Sequence, residues 1–148
     1  METIQDDEGL ERMIKHAYMY ATFSDQQSQF GAVIVRDQAI IGMGWNKAID
    51  GIYVSAIEAA LFACLAKPSE ATLITTQPPV MSDAKLILLS GVTSVIYDQA
   101  QRNKNQNSYQ QLFNIATKFL VDNKVGIAEY QGNIKCFNIL WESQTWQP

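Results

Sequence analysis

Few residues in this chain could do chemistry, and most of them stand alone. There is one histidine, His16, and there are two cysteines, Cys64 and Cys136. Neither cysteine has a close partner in sequence, so the spacing gives no disulfide framework and no cysteine-rich zinc site. His16 falls opposite the Leu10, Met13 and Ala17 face of an amphipathic stretch, where a solvated side chain is expected. Cys64 lies in an apolar run and reads as a small core residue. Glu58 is the one charge between Ser55 and Ala66. The spacing Ser55-x-x-Glu58 fits a capping box, in which the hydroxyl takes a helix N–H and the carboxylate reaches back to the serine N–H. The dipole at a helix start also favours that charge.

The segment Thr72–Val92, TLITTQPPVMSDAKLILLSGV, is the other candidate. Leu73 and Ile74 among threonines suit a buried strand. Pro78 and Pro79 end it, and Pro79 suits a first helical turn, where its missing N–H is no loss. Met81, Lys85, Leu86, Leu88 and Leu89 then carry a helix that Gly91 stops. Junctions of this kind commonly hold sites.

The elements that must position these residues follow from periodicity. Leu10, Met13, Ile14, Ala17, Tyr18 and Ala21 share one face of a helix over residues 8–22. GAVIVR (31–36) and AIIGMG (39–44) form a hairpin turned at Asp37-Gln38. Residues 55–66 form a helix that is apolar almost all round and is therefore expected to be buried. VTSVIY (92–97) is a further strand, and AQRNKNQNS (100–108) is polar enough to be a mobile loop. Tyr109, Leu112, Phe113, Ala116, Phe119 and Leu120 mark a late helix, and Val125–Tyr130 a last strand. Gly132-Asn133 suggests a turn. The tail beyond it, with Ile139, Leu140, Trp141 and Trp146, reads either as packing or as an interface. Strands alternating with helices after an opening hairpin predict an α/β sandwich with helices on both sheet faces.

The 148 residues suit one domain spanning 1–148, and 47% apolar content is enough for a core. The net charge of −4 argues against a broad nucleic-acid surface, though not against a single nucleotide. No apolar run reaches membrane-spanning length, and the acidic start METIQDDEGLERM carries no secretory pattern, so a cytoplasmic protein is expected.

Taken in order, GAVIVRDQAIIGMGWN (31–46), AIEAAL (56–61) and TTQPPVMSDAKLILLSGVTSVIYD (75–98) resemble the cytidine/deoxycytidylate deaminase superfamily, with the tRNA adenosine deaminase and deoxycytidylate deaminase branches most similar. The resemblance implies a cytidine deaminase-like three-layer α/β/α sandwich with a mixed sheet of about five strands. It also implies a zinc site built from H-x-E on one helix and P-C-x-x-C at the start of the next. Laid onto this chain, the histidine position holds Ala56 and the glutamate position Glu58, while Pro79 and Ser82 stand at the two cysteine positions. Ala and Pro have no lone pair to give and Ser is a poor zinc ligand, so no zinc cofactor is expected. Glu58 is the one matching motif residue, either a remnant of the family's proton shuttle or a helix cap. Asn46 matches the family asparagine that contacts substrate, and reads equally as a turn residue. Trp45 beside it is expected to pack. Substrate contacts are thus expected at Asn46, Glu58 and Ser82.

In this fold the N-termini of the Ser55 and Met81 helices converge where the metal would lie. That pocket either attracts an anion or waters, or is filled by Pro79, Val80 and Met81. The reading is a zinc-lacking deaminase-fold pseudoenzyme, acting as a non-catalytic subunit or as a nucleotide-binding regulatory protein. The alternative is an active deaminase with an atypical site or an active partner subunit. Expected partners are a second copy of the chain, an active deaminase subunit, and a nucleotide or anion ligand. No membrane partner is expected.

Overall fold

The computed structural model describes residues 2–4, 7–132, 134–135 and 137–148. Asn133 of the expected turn and Cys136 lie outside them. Strand β1 (Glu2–Ile4) precedes helix α1 (Glu8–Ala21), which starts where the Asp7 carboxylate accepts the Leu10 N–H at 2.9 Å. The hairpin β2 (Gly31–Arg36) and β3 (Ala39–Trp45) turns through Asp37 and Gln38, both with positive φ, as a two-residue connection requires. A small hairpin, β4 (Lys47–Ile49) and β5 (Ile52–Val54), leads into α2 (Ala56–Phe62). Strand β6 (Thr72–Thr75) is followed by α3 (Met81–Ser90), and β7 (Ser94–Asp98) by α4 (Gln99–Asn103) and α5 (Asn107–Asp122). Strand β8 (Gly126–Tyr130) precedes a final hairpin, β9 (Ile139–Trp141) and β10 (Gln144–Trp146).

Six strands, rather than about five, make the main sheet, in the order β1-β8-β7-β6-β2-β3. The first four are parallel, and β2 and β3 are antiparallel additions. The sixth strand is β1, three residues too short to show a pattern. Alternation along each strand divides the core in two. Ala32, Ile34, Leu73, Val95 and Tyr97 meet the α2, α3 and α5 layer through Ala60, Ile87, Ala116 and Leu120. Val33 and Ile74 face the other way, onto Leu10, Ile14, Tyr18 and Ala21 of α1. Gly44 lets α2 lie directly on β3, because a Cβ there would come within 2.4 Å of the Ala60 nitrogen. Gly91 closes α3 at φ +90°, where a side chain would be strained. No described helix is long and apolar enough to cross a membrane.

Four local expectations are corrected. The helix expected over 55–66 ends at Phe62, and it is not buried all round, since Phe62 is 77% and Leu65 98% exposed. Pro79 lies outside α3, whose N-cap is Val80. The polar run 100–108 is helical in part, and side-chain amides bond its backbone carbonyls: Asn105 Nδ2 donates to Gln101 O at 3.0 Å, and Gln110 Nε2 of α5 donates to Arg102 O at 2.7 Å. Finally, β8 is not the last strand. The tail folds back, burying Ile134 and Ile139 against α1 and packing Phe137 and Trp146 beside them.

Candidate functional site

The starts of α2 and α3 do converge, and a single hydroxyl joins them. Ser55, the N-cap of α2, accepts the Glu58 N–H at 3.0 Å and donates its own proton to Asp83 Oδ1 at 2.6 Å. Asp83, third residue of α3, accepts the Val80 N–H through Oδ2 at 3.2 Å. It is buried, and burial raises its pKa, with the nearby Glu58 charge adding to the rise and the Ser55 and Val80 hydrogen bonds opposing it. Where the two helix starts meet, the protein thus supplies a carboxylate of its own, with Val80 beside it.

Above this floor lies a cavity of about 530 Å³. Ala56, Glu58, Val80, Ser82 and Asp83 line its base. Gln77 and Asn105 line one wall and bond each other through paired amides, each bond 3.2 Å long. Phe30, Tyr53, Tyr109 and Trp141 form an aromatic rim. Burial raises the Tyr53 pKa. The tail brings Trp141 and Glu142 to the cavity by docking on residues 27–29. Gln29 exchanges two bonds with Leu140, at 2.9 and 2.8 Å, and the Ser28 hydroxyl accepts the Glu142 N–H at 3.0 Å. The Phe30 and Trp141 rings meet edge to face at 6.1 Å.

The residues singled out from sequence divide into two groups. Ala56, Glu58 and Ser82 share the cavity, while Pro79 is buried away from it. Of the α3 residues, Asp83, one position after Ser82, is the one that bonds the start of α2, through the Ser55 hydroxyl. Glu58 does not complete the capping box, because its carboxylate makes no hydrogen bond or ion pair among the described residues; the Ser55 half alone is present. Asn46 is 1% exposed; its amide donates to Ser28 O at 2.7 Å, accepts the Phe30 N–H at 2.9 Å, and hydrogen-bonds the cavity-lining Tyr53, opposing the effect of burial on that hydroxyl. It borders a smaller cavity of about 350 Å³ that shares Ser28, Phe30 and Tyr53 with the larger one. Trp45 packs with Tyr20 and Phe23 and carries Lys47 Nζ 4.5 Å over its ring. His16 lies near the Arg12 carbonyl, and Cys64 donates to Ala60 O at 3.5 Å. Neither reaches the cavity, and burial pushes the Cys64 thiol up.

Sequence reasoning missed Asp83, Gln77, Asn105, Tyr53 and Trp141. Asp83 carried a usable signal, a carboxylate in the first turn after Pro-Pro. The others sit in segments whose role depends on long-range docking.

The zinc site that the resemblance implies does not fit these residues. Ala56 and Pro79 offer hydrocarbon, Ser82 only a neutral hydroxyl, and Asp83 beside them is already bonded by Ser55 and Val80. Among the described residues no three His, Cys, Asp or Glu side chains come together to hold a metal ion.

What the layers, strand order and converging helix starts define is a deaminase-type α/β/α sandwich, and solved structures bear this out. No family model and no curated protein sequence matches the chain. The dCMP deaminase of cyanophage S-TIM5, in apo form, superposes with a TM-score of 0.69 at 20% identity, covering 84% of this chain and 98% of that one. Acinetobacter baumannii RibD gives 0.66 at 16% identity, over 82% of this chain and 35% of its own. A diaminohydroxyphosphoribosylaminopyrimidine deaminase/reductase of Thermotoga maritima gives 0.61 at 19%, over 82% and 36%. The fold is thus shared with these deaminase structures, as the resemblance implied.

Proposed function

We propose that this chain is a deaminase-fold pseudoenzyme, a scaffold that binds a small ligand without zinc-dependent chemistry. One observation carries the reading. At the positions that match the family's His and two Cys stand Ala56, Pro79 and Ser82, and the carboxylate beside them, Asp83, is already hydrogen-bonded within the protein. Without three free donors and an open position, no metal-bound hydroxide is generated at neutral pH. The cavity itself supports a binding role, being concave, mostly apolar and provided with a few convergent polar groups. The test is deamination of cytidine, deoxycytidylate, adenosine and guanine in zinc-supplemented buffer. The expected result is no turnover. Turnover that Glu58→Ala abolishes overturns the proposal.

A regulatory or subunit role needs a protein partner, and a second copy of the chain is the one we favour. Phe62, Leu65 and Leu89 are 77%, 98% and 79% exposed, which supports an interface on the α2–α3 side. The tail is the less favoured surface, because Ile139 and Trp146 pack against the α1 side of the core and Trp141 lines the cavity. Light scattering across a concentration series is expected to show a dimer or larger species that Leu65→Glu dissociates; a monomer throughout refutes this.

A further inference from the structure

The cavity carries a charge pattern unlike the one a phosphate needs. Three carboxylates line it, Glu58, Asp83 and Glu142, and no Lys, Arg or His is among the described lining residues. Two helix starts meet there, and they would ordinarily attract an anion. Each, however, has a carboxylate at its own third helical position, Glu58 in α2 and Asp83 in α3. The attraction is thereby spent inside the protein, and Asp83 takes up both the Val80 N–H and the Ser55 hydroxyl. Glu58 differs from Asp83 in that its carboxylate has no hydrogen-bond or ion-pair partner among the described residues while it lines the cavity. The same cavity is lined by four aromatic side chains, Phe30, Tyr53, Tyr109 and Trp141. Aromatic rings attract cations through their negative faces, and carboxylates through charge.

We infer that the cavity is a site for a small organic cation, an ammonium or guanidinium-type head on an apolar body, and not for a nucleoside phosphate. The inference rests on the reading of the cavity as a binding site without a metal. Glu58 supplies the ion pair, the aromatic rim holds the apolar body and the cationic face, and the Gln77–Asn105 pair offers neutral hydrogen bonds. The volume admits a ligand of many heavy atoms. A phosphate brought to the same place meets three carboxylates and no basic side chain, so discrimination comes from repulsion as well as attraction.

Isothermal titration of the full chain with choline and with benzamidine tests this. The neutral choline isostere 3,3-dimethylbutan-1-ol, dCMP and inorganic phosphate serve as comparisons. At least one of the two cations is expected to bind, and about tenfold or more tighter than the neutral isostere, from the loss of a charge-assisted contact. Glu58→Gln keeps the shape, breaks no bond within the protein, and is expected to weaken the cation about tenfold while leaving the isostere unchanged. Cations that bind no tighter than the isostere, or that do not bind at all, overturn the inference. So does tighter binding of dCMP or phosphate. These outcomes separate from failure of the pseudoenzyme reading: dCMP bound without turnover sinks this inference alone, whereas dCMP deaminated sinks the reading beneath it.

Discussion

Replacing Asp83 with alanine removes the joint between the two helix starts under the cavity. The carboxylate accepts the Ser55 hydroxyl at 2.6 Å and the Val80 N–H at 3.2 Å, and it is 7% exposed. Hydrogen bonds to a charged group stabilise by about 1.5–3 kcal/mol each. Burial of the carboxylate takes much of that back, as the direction of its pKa shows. The Val80 contact is a first-turn cap, for which losses of about 0.5–2 kcal/mol are usual. Together these give an expected cost for Asp83→Ala of about 1–3 kcal/mol. Urea unfolding followed by the fluorescence of Trp45, Trp141 and Trp146 measures it. The sharper test is a cycle with Ser55→Ala. Because the Ser55–Asp83 bond is lost in either single variant, the double variant should fall short of the sum by about 1 kcal/mol. Losses that add to within about 0.3 kcal/mol would refute the joint, as would an Asp83→Ala protein as stable as the parent.

Asp98 gives the pH dependence. Burial pushes its pKa from the ordinary 3.8 up to about 6, with the Tyr18 hydroxyl, which donates to it, pulling the other way. The folded state holds this proton more tightly than the unfolded chain. Its contribution is therefore fully present below pH 3.8 and is lost as pH rises through about 6. Asp98→Asn should consequently gain on the parent by up to about 3 kcal/mol between pH 4 and 7.5 in urea titrations; a gap between the two proteins that does not change with pH contradicts this. For Glu58, Gln and Ala variants should lose the same about 0.3–1 kcal/mol, the helix-dipole contribution of the charge, because the side chain makes no cap bond. A Gln variant that keeps full stability while the Ala variant loses it would restore the capping box.

The layers were legible because period-two alternation is a local property. Val33 between Ala32 and Ile34 already assigns opposite faces, and Gly91 after Leu88 and Leu89 already marks a helix stop. The errors share a different cause. Ile139 and Trp146 look like an interface until they are placed against Leu10 and Ile14, more than a hundred residues earlier in the chain. Residues 100–108 look like a loop because their amides are polar, yet Asn105 uses its amide to bond Gln77 and Gln101. Leu65 was expected inside because its neighbours are apolar, but the helix ends at Phe62 and leaves it in solvent. Within the site, Ala56, Glu58 and Ser82 were placed together from sequence and share the cavity, whereas Asp83 beside them was passed over. The helix begins after Val80, which turns Asp83 onto the Ser55 hydroxyl.

The central claim is that the converging helix starts no longer hold zinc, and the metal content of the protein tests it most directly. Untagged protein is purified, incubated with excess zinc, exchanged into metal-free buffer and analysed by inductively coupled plasma mass spectrometry. With the Ala56 and Pro79 side chains offering no lone pair, Ser82 only a neutral hydroxyl, and Asp83 bound to Ser55 and Val80, far less than one zinc per chain is expected. One zinc per chain that chelators remove only as the protein unfolds, and that Asp83→Ala abolishes, would contradict the account.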